Sequence, residues 1–325
     1  MKVKLSLISD YRAQLMGLAT LGIIICHCPA NNVLMPKIIE YAMFAGKTGV
    51  ALFFFLSGFG LFYSLSKNTN SIIGWYKKRY VRLLVPYLLF CLFPGFIEAI
   101  LDPNTDWLHY FAKLTFISYW KYHDCPWFLT VLIPLYAISP FLYRLIIRGN
   151  GKVTNCFLLL APFTLLPLLQ TGNIVFDTIC YDMTNGVAFV VGMIIAYYAQ
   201  QTKSISCWDC LGGGLFYCVM FFFQHRNFST WYTGLLFISL PVLVYLLDRF
   251  RIHWIWLSSL GAISLESYLT NTGLPKYVAM IPWGEIGVNN YGNYWGYTIV
   301  IIGGILWAIV LHYACKPIIH LLSKR

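Results

Sequence analysis

Residues 46–65 have the sequence GKTGVALFFFLSGFGLFYSL, an apolar run in which Lys47 carries the one charge. A helix of about twenty apolar residues is long enough to cross the roughly 30 Å of hydrocarbon in a bilayer. Of the 325 residues, 59% are hydrophobic and 11% are charged, whereas a soluble domain carries about 25% charged residues. The sequence therefore predicts an all-α membrane protein in which residues 1–325 form a single transmembrane domain.

Further apolar runs predict a polytopic bundle of about ten transmembrane helices. The first run is expected to stay in the mature chain, because no small-residue cleavage site follows it. The predicted spans are residues 15–28, 46–65, 80–101, 128–147, 153–169, 183–199, 211–223, 231–247, 254–270 and 294–315.

The basic residues are distributed unevenly between the two sides of this predicted topology. With the amino terminus in the cytoplasm, all but six of the 23 Lys and Arg residues fall on the cytoplasmic side. The six exceptions are Lys37, Lys47, Lys113, Lys121, Arg226 and Lys276. The positive-inside rule then predicts a multi-pass protein of the cytoplasmic (inner) membrane with both termini in the cytoplasm. Lys121 and Cys125 are expected outside, and Lys152 and Lys203 inside. The net charge of +11 thus marks orientation and does not indicate nucleic-acid binding.

The two longest outer loops, residues 102–126 and 271–293, are rich in aromatic residues. These side chains form either an interfacial belt or a surface for stacking on sugar rings. Asp102, Asp106 and Asp124 accompany them, as would suit recognition of sugar hydroxyl groups. The ten cysteines fall mostly in apolar segments, and Cys207-x-x-Cys210 has no second pair beside it, so we expect no metal site.

Three short segments could carry chemistry. His27 ends the first span, and an ionisable residue there is a candidate base for an acceptor hydroxyl, or simply a polar tip at the interface. Ser57 and Gly58 either let helices approach closely or leave room for a narrow cofactor arm. Arg79 and Arg82 share one helix face and either bind an anion or mark orientation alone.

The order of these segments resembles the acyltransferase type 3 family of integral membrane acyltransferases. The resemblance rests on His27, GVALFFFLSGFGLF at 49–62, KKRYVRLLVPY at 77–87, CPWFL at 125–129 with Ser139-Pro140 after it, and ISLESYL at 263–269. It implies a bundle of about ten helices and acyl transfer from acetyl-CoA or another acyl-CoA. It also implies catalysis by His27 and binding of the donor phosphates at Arg79 and Arg82, with Lys78 beside them.

Two departures from the family pattern fall near the first helices. The family usually has an arginine eleven residues before the histidine, where this chain has Met16, and Arg12 lies one helical turn earlier on roughly the same face. The acidic residue of the second motif is Ala51 here. Glu40 is then the best carboxylate to orient His27.

The expected activity is O-acetylation of a hydroxyl on a cell-surface polysaccharide or lipid-linked glycan of the cell envelope. Trp127, Glu266, Tyr268 and Asn271 are expected to line the acceptor cavity, with helix packing as the alternative, and Asn271 replaces a histidine common in the family. Membrane lipids and the glycan acceptor are the expected partners. A glycolipid transporter or flippase that uses His27 for proton coupling, and a non-catalytic degenerate member of the family, remain alternatives.

Overall fold

The protein is described by a computed structural model that covers most of the chain. The described residues are 2–30, 36–68, 71–92, 95–96, 99–100, 103–104, 106–123, 126–169, 171–224, 226–279 and 294–324. It is 84% helical with almost no strand, so the all-α prediction is confirmed.

In chain order the elements, numbered for the described residues, are β1 (Lys2–Lys4), α1 (Leu7–Asp10), α2 (Arg12–Ala30), α3 (Lys37–Phe44), α4 (Thr48–Ser66), α5 (Ile72–Tyr87), α6 (Trp107–Leu114), α7 (Tyr119–Tyr122), α8 (Trp127–Arg148), α9 (Val153–Leu165), α10 (Ile174–Met183), α11 (Asn185–Gln200), β2 (Ser204–Ser206), α12 (Cys207–Phe223), α13 (Phe228–Arg249), α14 (Ile255–Ala262), α15 (Ser264–Ala279) and α16 (Tyr294–Lys324). Short 3-10 helices at Ala45–Lys47 and Leu166–Leu168 and a π-helix at Leu88–Leu92 join some of these.

Several helices have the length and composition of membrane spans. Among the described residues, five are long and apolar enough to cross a bilayer, namely Lys37–Ser66, Trp127–Arg148, Ile174–Gln200, Phe228–Arg249 and Tyr297–Ser323. Three shorter apolar helices lie at Arg12–Cys28, Val153–Leu168 and Cys207–Phe223. The chain is therefore a multi-pass membrane protein, while the count of ten spans is not confirmed.

The third predicted span, residues 80–101, differs in its boundaries. Helix α5 begins at Ile72, because the Ser71 hydroxyl caps it by accepting a hydrogen bond from the Gly74 amide at 3.1 Å. The basic residues at the cytoplasmic edge of the predicted third span therefore lie in the middle of α5 and not at its beginning. Pro86 lacks an amide hydrogen, and the chain continues into the π-helix Leu88–Leu92 directly after it.

The predicted outer loop 102–126 contains the amphipathic helix α6. The Asp106 carboxylate caps this helix by accepting a hydrogen bond from the His109 amide at 3.1 Å. Asp106 thus has a structural role, in addition to the hydroxyl recognition expected of it. Asp102, Asp124, Cys125 and residues 280–293 lie outside the described residues.

The chain divides by its internal packing into two compact units. Unit 1 comprises residues 1–19, 48–69 and 131–258, and unit 2 comprises residues 20–47, 70–130 and 259–325. Helix α2 contributes its first half to unit 1 and its second half to unit 2. The prediction of one transmembrane domain stays a prediction.

In unit 1, helices α4 and α11 pack closely through a reciprocal pair of glycines. A methyl group at Gly58 would overlap the Phe189 carbonyl, and one at Gly192 would overlap the Phe55 carbonyl. Small residues at both positions let the two backbones meet, as is usual between membrane helices. At one end of the same unit, β1 and β2 pair antiparallel, with Val3 opposite Ile205.

In unit 2, helices α5, α15 and α16 pack against one another. A side-chain hydrogen bond fixes α15 to α16, because the Thr270 hydroxyl donates to the Gly304 carbonyl at 2.8 Å. The Tyr297 hydroxyl donates to the Ile24 carbonyl and so joins α16 to the second half of α2. Unit 2 therefore assembles helices that are far apart in sequence.

Candidate active site

His27 lies in the second half of α2 and is half-buried. Its Nδ1 atom is 2.7 Å from the Ile23 carbonyl oxygen, one helical turn earlier. Because a carbonyl oxygen only accepts hydrogen bonds, Nδ1 carries the proton and donates it. In the neutral imidazole the lone pair is then on Nε2, which is the atom able to take a proton from a hydroxyl group.

Two charged residues that follow α2 in sequence bear on this histidine. Lys47 interacts electrostatically with His27, and its ammonium group lies 4.7 Å from the centre of the Phe44 ring. Glu40 forms an ion pair with Lys37 at 3.1 Å, one turn away on α3. The role of Glu40 in orienting His27 stays a prediction.

The basic cluster lies on α5 as the sequence predicted, and its members differ in exposure. Arg79 is half-buried, and its guanidinium carbon lies 6.0 Å from the centre of the buried Trp75 ring. Lys78 and Arg82 are exposed. The cluster therefore combines one guanidinium held against an aromatic side chain with two cations that reach outward, an arrangement suited to an anionic group.

Glu266 pairs with a residue that sequence reasoning missed. His312 of α16 donates from Nδ1 to Glu266 Oε1 at 2.9 Å, and the two side chains are 28% and 9% exposed. The buried Cys315 lies one turn from His312 and interacts electrostatically with Glu266. His312 lies in the last apolar run, so the rule that selected His27, an ionisable group inside a predicted span, could have found it.

Asn271 stands where the family often has a histidine, and here it is part of α15 packing. Its Nδ2 atom donates to the Ser267 carbonyl at 2.8 Å and to the Ser267 hydroxyl at 3.2 Å. Its amide group also fills the space in front of Gly304. The imidazole in this part of unit 2 comes instead from His312 on the neighbouring helix.

Tyr268 and Trp127 meet around Phe128. The Phe128 amide donates to the Tyr268 hydroxyl at 3.4 Å, and the two rings are 5.3 Å apart. Trp127 contacts Phe128 edge to face, with ring centroids 6.3 Å apart. Tyr268 is buried and Trp127 is half-buried, so packing accounts for the position of Tyr268, while its acceptor-binding role stays a prediction.

The remaining proposed residues, Arg12, Ser57 and Gly58, belong to unit 1. One Arg12 guanidinium nitrogen donates to the Leu56 carbonyl at 3.3 Å, and the guanidinium fills the space in front of Gly60. Gly58 faces the Phe189 backbone, so helix packing explains why it is small. The suggested path for a cofactor arm past Ser57 and Gly58 stays a prediction.

Most of the proposed residues share one unit. Nine of the twelve fall in unit 2: His27, Glu40, Lys78, Arg79, Arg82, Trp127, Glu266, Tyr268 and Asn271. The other three fall in unit 1. Unit 2 thus holds a histidine whose Nδ1 is hydrogen-bonded to the backbone, a basic cluster, and a histidine paired with a buried carboxylate.

These groups belong to a multi-pass helical membrane protein, and a histidine, a cationic cluster and a histidine–carboxylate pair are residue types that enzymes use. The family model of the acyltransferase domain, type 3, matches residues 15–313, nearly the whole chain. The chain therefore belongs to the acyltransferase type 3 family, and it is a membrane acyltransferase in the general sense that this family defines. No curated protein and no solved structure matches the chain.

Proposed function

We propose that the protein transfers an acetyl group from acetyl-CoA to a hydroxyl of a cell-surface or lipid-linked glycan. The observation that carries this proposal is the hydrogen bond from His27 Nδ1 to the Ile23 carbonyl. It orients the imidazole and fixes the tautomer, so that Nε2 is the atom proposed to act as the base. Family membership supplies the reaction class, acyl transfer.

The reaction has two possible routes through His27. In the first, Nε2 takes the proton of the acceptor hydroxyl, the oxygen forms an ester bond to the acetyl carbon, and the thioester bond breaks to release CoA, which receives the proton. In the second, Nε2 attacks the thioester, carries the acetyl group, and passes it to the hydroxyl. Both routes use Nε2 of the same tautomer, and each yields one acetylated hydroxyl and one CoA thiol.

The basic cluster on α5 is the proposed site for the donor phosphates. Arg79, Arg82 and Lys78 offer three cations on one short stretch of helix, and guanidinium groups bind phosphate oxygens in pairs. The Trp75 ring lies beside this cluster, with its centre 6.0 Å from the Arg79 guanidinium carbon, which is the outer range of a cation–π contact.

The Glu266–His312 pair is the proposed second element of the site. A carboxylate that accepts from the Nδ1 of a histidine fixes the ring and its tautomer, as in other enzymes that use oriented imidazoles. His312 then presents Nε2 toward its surroundings in unit 2. With Tyr268, Trp127 and Asn271, this pair belongs to the proposed acceptor side.

Ten spans with both termini in the cytoplasm remain the proposed topology in the inner membrane. Pairing of β1 with β2 supports it, because Lys2–Lys4 and the segment after Lys203 were both assigned to the cytoplasmic side. The hydrogen bond from Gln200 Nε2 to the Ser66 hydroxyl, at 2.8 Å, likewise joins two segments assigned to that side.

The test is acetyl transfer by the purified protein in liposomes. Labelled acetyl-CoA is added with and without glycans extracted from the cell envelope, and labelled product is identified by mass spectrometry. Acetylated glycan is expected with the wild-type protein and with His320→Ala, a control at an exposed histidine of α16, but not with His27→Ala. Binding of acetyl-CoA without any product would instead identify a non-catalytic member of the family. This alternative is relevant because Met16 and Ala51 depart from the family pattern.

A further inference from the structure

Unit 1 contains a large apolar cavity that the acyltransferase proposal does not use. Its volume is about 880 Å³, and its walls come from α9 and α12, with α11 and α13 behind and β1 and β2 at one end. Volumes of about 300–1,000 Å³ are typical of ligand pockets. Asp209 is the one charged side chain among the described residues that line it.

Some residues that line the cavity are also exposed on apolar helices. Phe157 and Phe216 line it and are nevertheless 66% and 52% exposed, and they belong to two helices that have the composition of membrane segments. Large apolar side chains that are both lining and exposed mark a lateral mouth. In a membrane protein such a mouth faces lipid acyl chains, not water.

The length of the cavity matches one lipid chain. It follows α9 from Thr154 to Leu165, which is about 16 Å at 1.5 Å per residue. Half of a hydrocarbon core of roughly 30 Å is close to this value. One end is closed by polar contacts, because the Thr164 and Tyr217 hydroxyls are 3.1 Å apart and Gln224 Nε2 donates to the Thr164 carbonyl at 2.6 Å.

The opposite end carries basic residues. The Leu5 amide, next to this end of the cavity, donates to the Lys203 carbonyl at 3.1 Å. Lys152 precedes α9, and both lysines are exposed. These two lysines outnumber the lining Asp209, so this end has a net positive charge that complements an anionic headgroup.

We propose that this cavity binds one acyl chain of an anionic membrane lipid, with the lipid headgroup at Lys152 and Lys203. The apolar walls hold the chain, the polar contacts at Thr164 limit its depth, and the lysines select the charge of the headgroup. The proposal does not depend on the acyl-transfer reaction, because the cavity lies in unit 1 and the histidines and basic cluster of that reaction lie in unit 2.

A run of three glycines on α12 provides a matched pair of variants. Gly214 packs against Gly234 of α13, which explains its small size, whereas a Cβ at Gly212 or Gly213 would meet nothing within 4 Å. Gly213 lines the cavity and Gly212 does not. A tryptophan at position 213 therefore fills cavity space, while a tryptophan at position 212 adds the same group outside it.

The experiment uses the full chain in nanodiscs of phosphatidylcholine that contain a trace of phosphatidylglycerol with a diazirine in one acyl chain. After irradiation, labelled peptides are mapped by mass spectrometry. Label is expected on residues 154–165 and 209–217, and Gly213→Trp should lower it about fivefold or more because the indole occupies the volume of the chain. Gly212→Trp should label like the wild type.

Phosphatidylcholine with the same diazirine chain tests the headgroup. It should label the cavity less than phosphatidylglycerol does, and Lys152→Glu with Lys203→Glu should remove the difference. Equal labelling of the Gly213→Trp and Gly212→Trp proteins would overturn the proposal, as would wild-type label confined to outward residues such as Val219 and Phe222. Equal wild-type labelling by the two lipids would overturn the selection of an anionic headgroup. The wild-type map decides the matter even if Gly213→Trp does not fold.

Discussion

Removing the imidazole of His312 should destabilise the protein by about 3 kcal/mol, because it leaves Glu266 buried without its partner. Breaking a buried ion pair by deleting one member typically costs about 3–5 kcal/mol. The Glu266 side chain is 9% exposed, but His312 is 28% exposed, so water reaches the site and the lower end of that range applies. His312→Ala is the variant to measure.

A double-mutant cycle separates the pair from the rest of the histidine's packing. In a Glu266→Gln background the same His312→Ala change should cost less by about 1.5–3 kcal/mol, the usual contribution of a hydrogen bond to a charged group. The free energy of unfolding is measured in mixed micelles of rising denaturing-detergent content. His320→Ala, an exposed histidine on the same helix, serves as the control and should change stability by less than about 0.5 kcal/mol.

Additive effects in this cycle would refute the reasoning. They would mean that the 2.9 Å contact between His312 Nδ1 and Glu266 Oε1 contributes nothing beyond the packing of each side chain. The proposal that the pair forms part of the acceptor-binding region would then be wrong, and the buried Glu266 would need another partner in unit 2.

Three further predictions follow from the site and the topology. His27→Ala should lower turnover about a hundredfold or more, which is the scale of lost general acid–base catalysis, while acetyl-CoA binding persists. If the variant forms product as fast as the wild type, the assignment is wrong and Glu40 is the next residue to test. The double variant Arg79→Ala, Arg82→Ala should weaken acetyl-CoA binding by about 1.5–3 kcal/mol for each lost contact, as measured by calorimetry on membrane-inserted protein. Unchanged affinity would mean that the cluster only determines orientation in the membrane. A cysteine introduced at Lys121 should react with an impermeant maleimide on intact cells, whereas one at Lys152 should not, and labelling at Lys152 would contradict the ten-span topology.

The sequence predicted the fold class because the bilayer imposes a simple requirement. Polar backbone groups in the hydrocarbon core must be hydrogen-bonded within the protein. A helix satisfies this requirement within one segment, so an apolar run such as residues 46–65 is expected to be helical. The same reasoning fails at the ends of helices. The predicted span began at residue 80, whereas α5 begins at Ile72, next to the Ser71 cap. The first half of α5 was not predicted because four basic residues interrupt its apolar pattern.

The candidate site could be predicted only at residues whose own chemistry is unusual for their position in the sequence. His27 and the basic cluster on α5 stand out as charged or ionisable groups beside apolar runs. The pairing of Glu266 with His312 could not be predicted from spacing, because the two residues are 46 positions apart in sequence and lie on different helices. Similarly, no periodicity indicates that Gly58 and Gly192 face each other's helix, since that contact depends on tertiary packing.

The contacts of Arg12 and Asn271 bear on the positions at which this chain departs from the family pattern. Arg12, one turn before the position where Met16 replaces the usual arginine, directs its guanidinium across to the Leu56 carbonyl and into the space left by Gly60. That anchors a cation in unit 1 at the start of α2. Asn271, in place of the usual histidine, is engaged with Ser267, while His312 supplies an imidazole from α16 to the Glu266 of the ISLESYL segment. Arg12 and His312 are therefore the residues of this chain to test for the parts that the usual arginine and histidine play in the family.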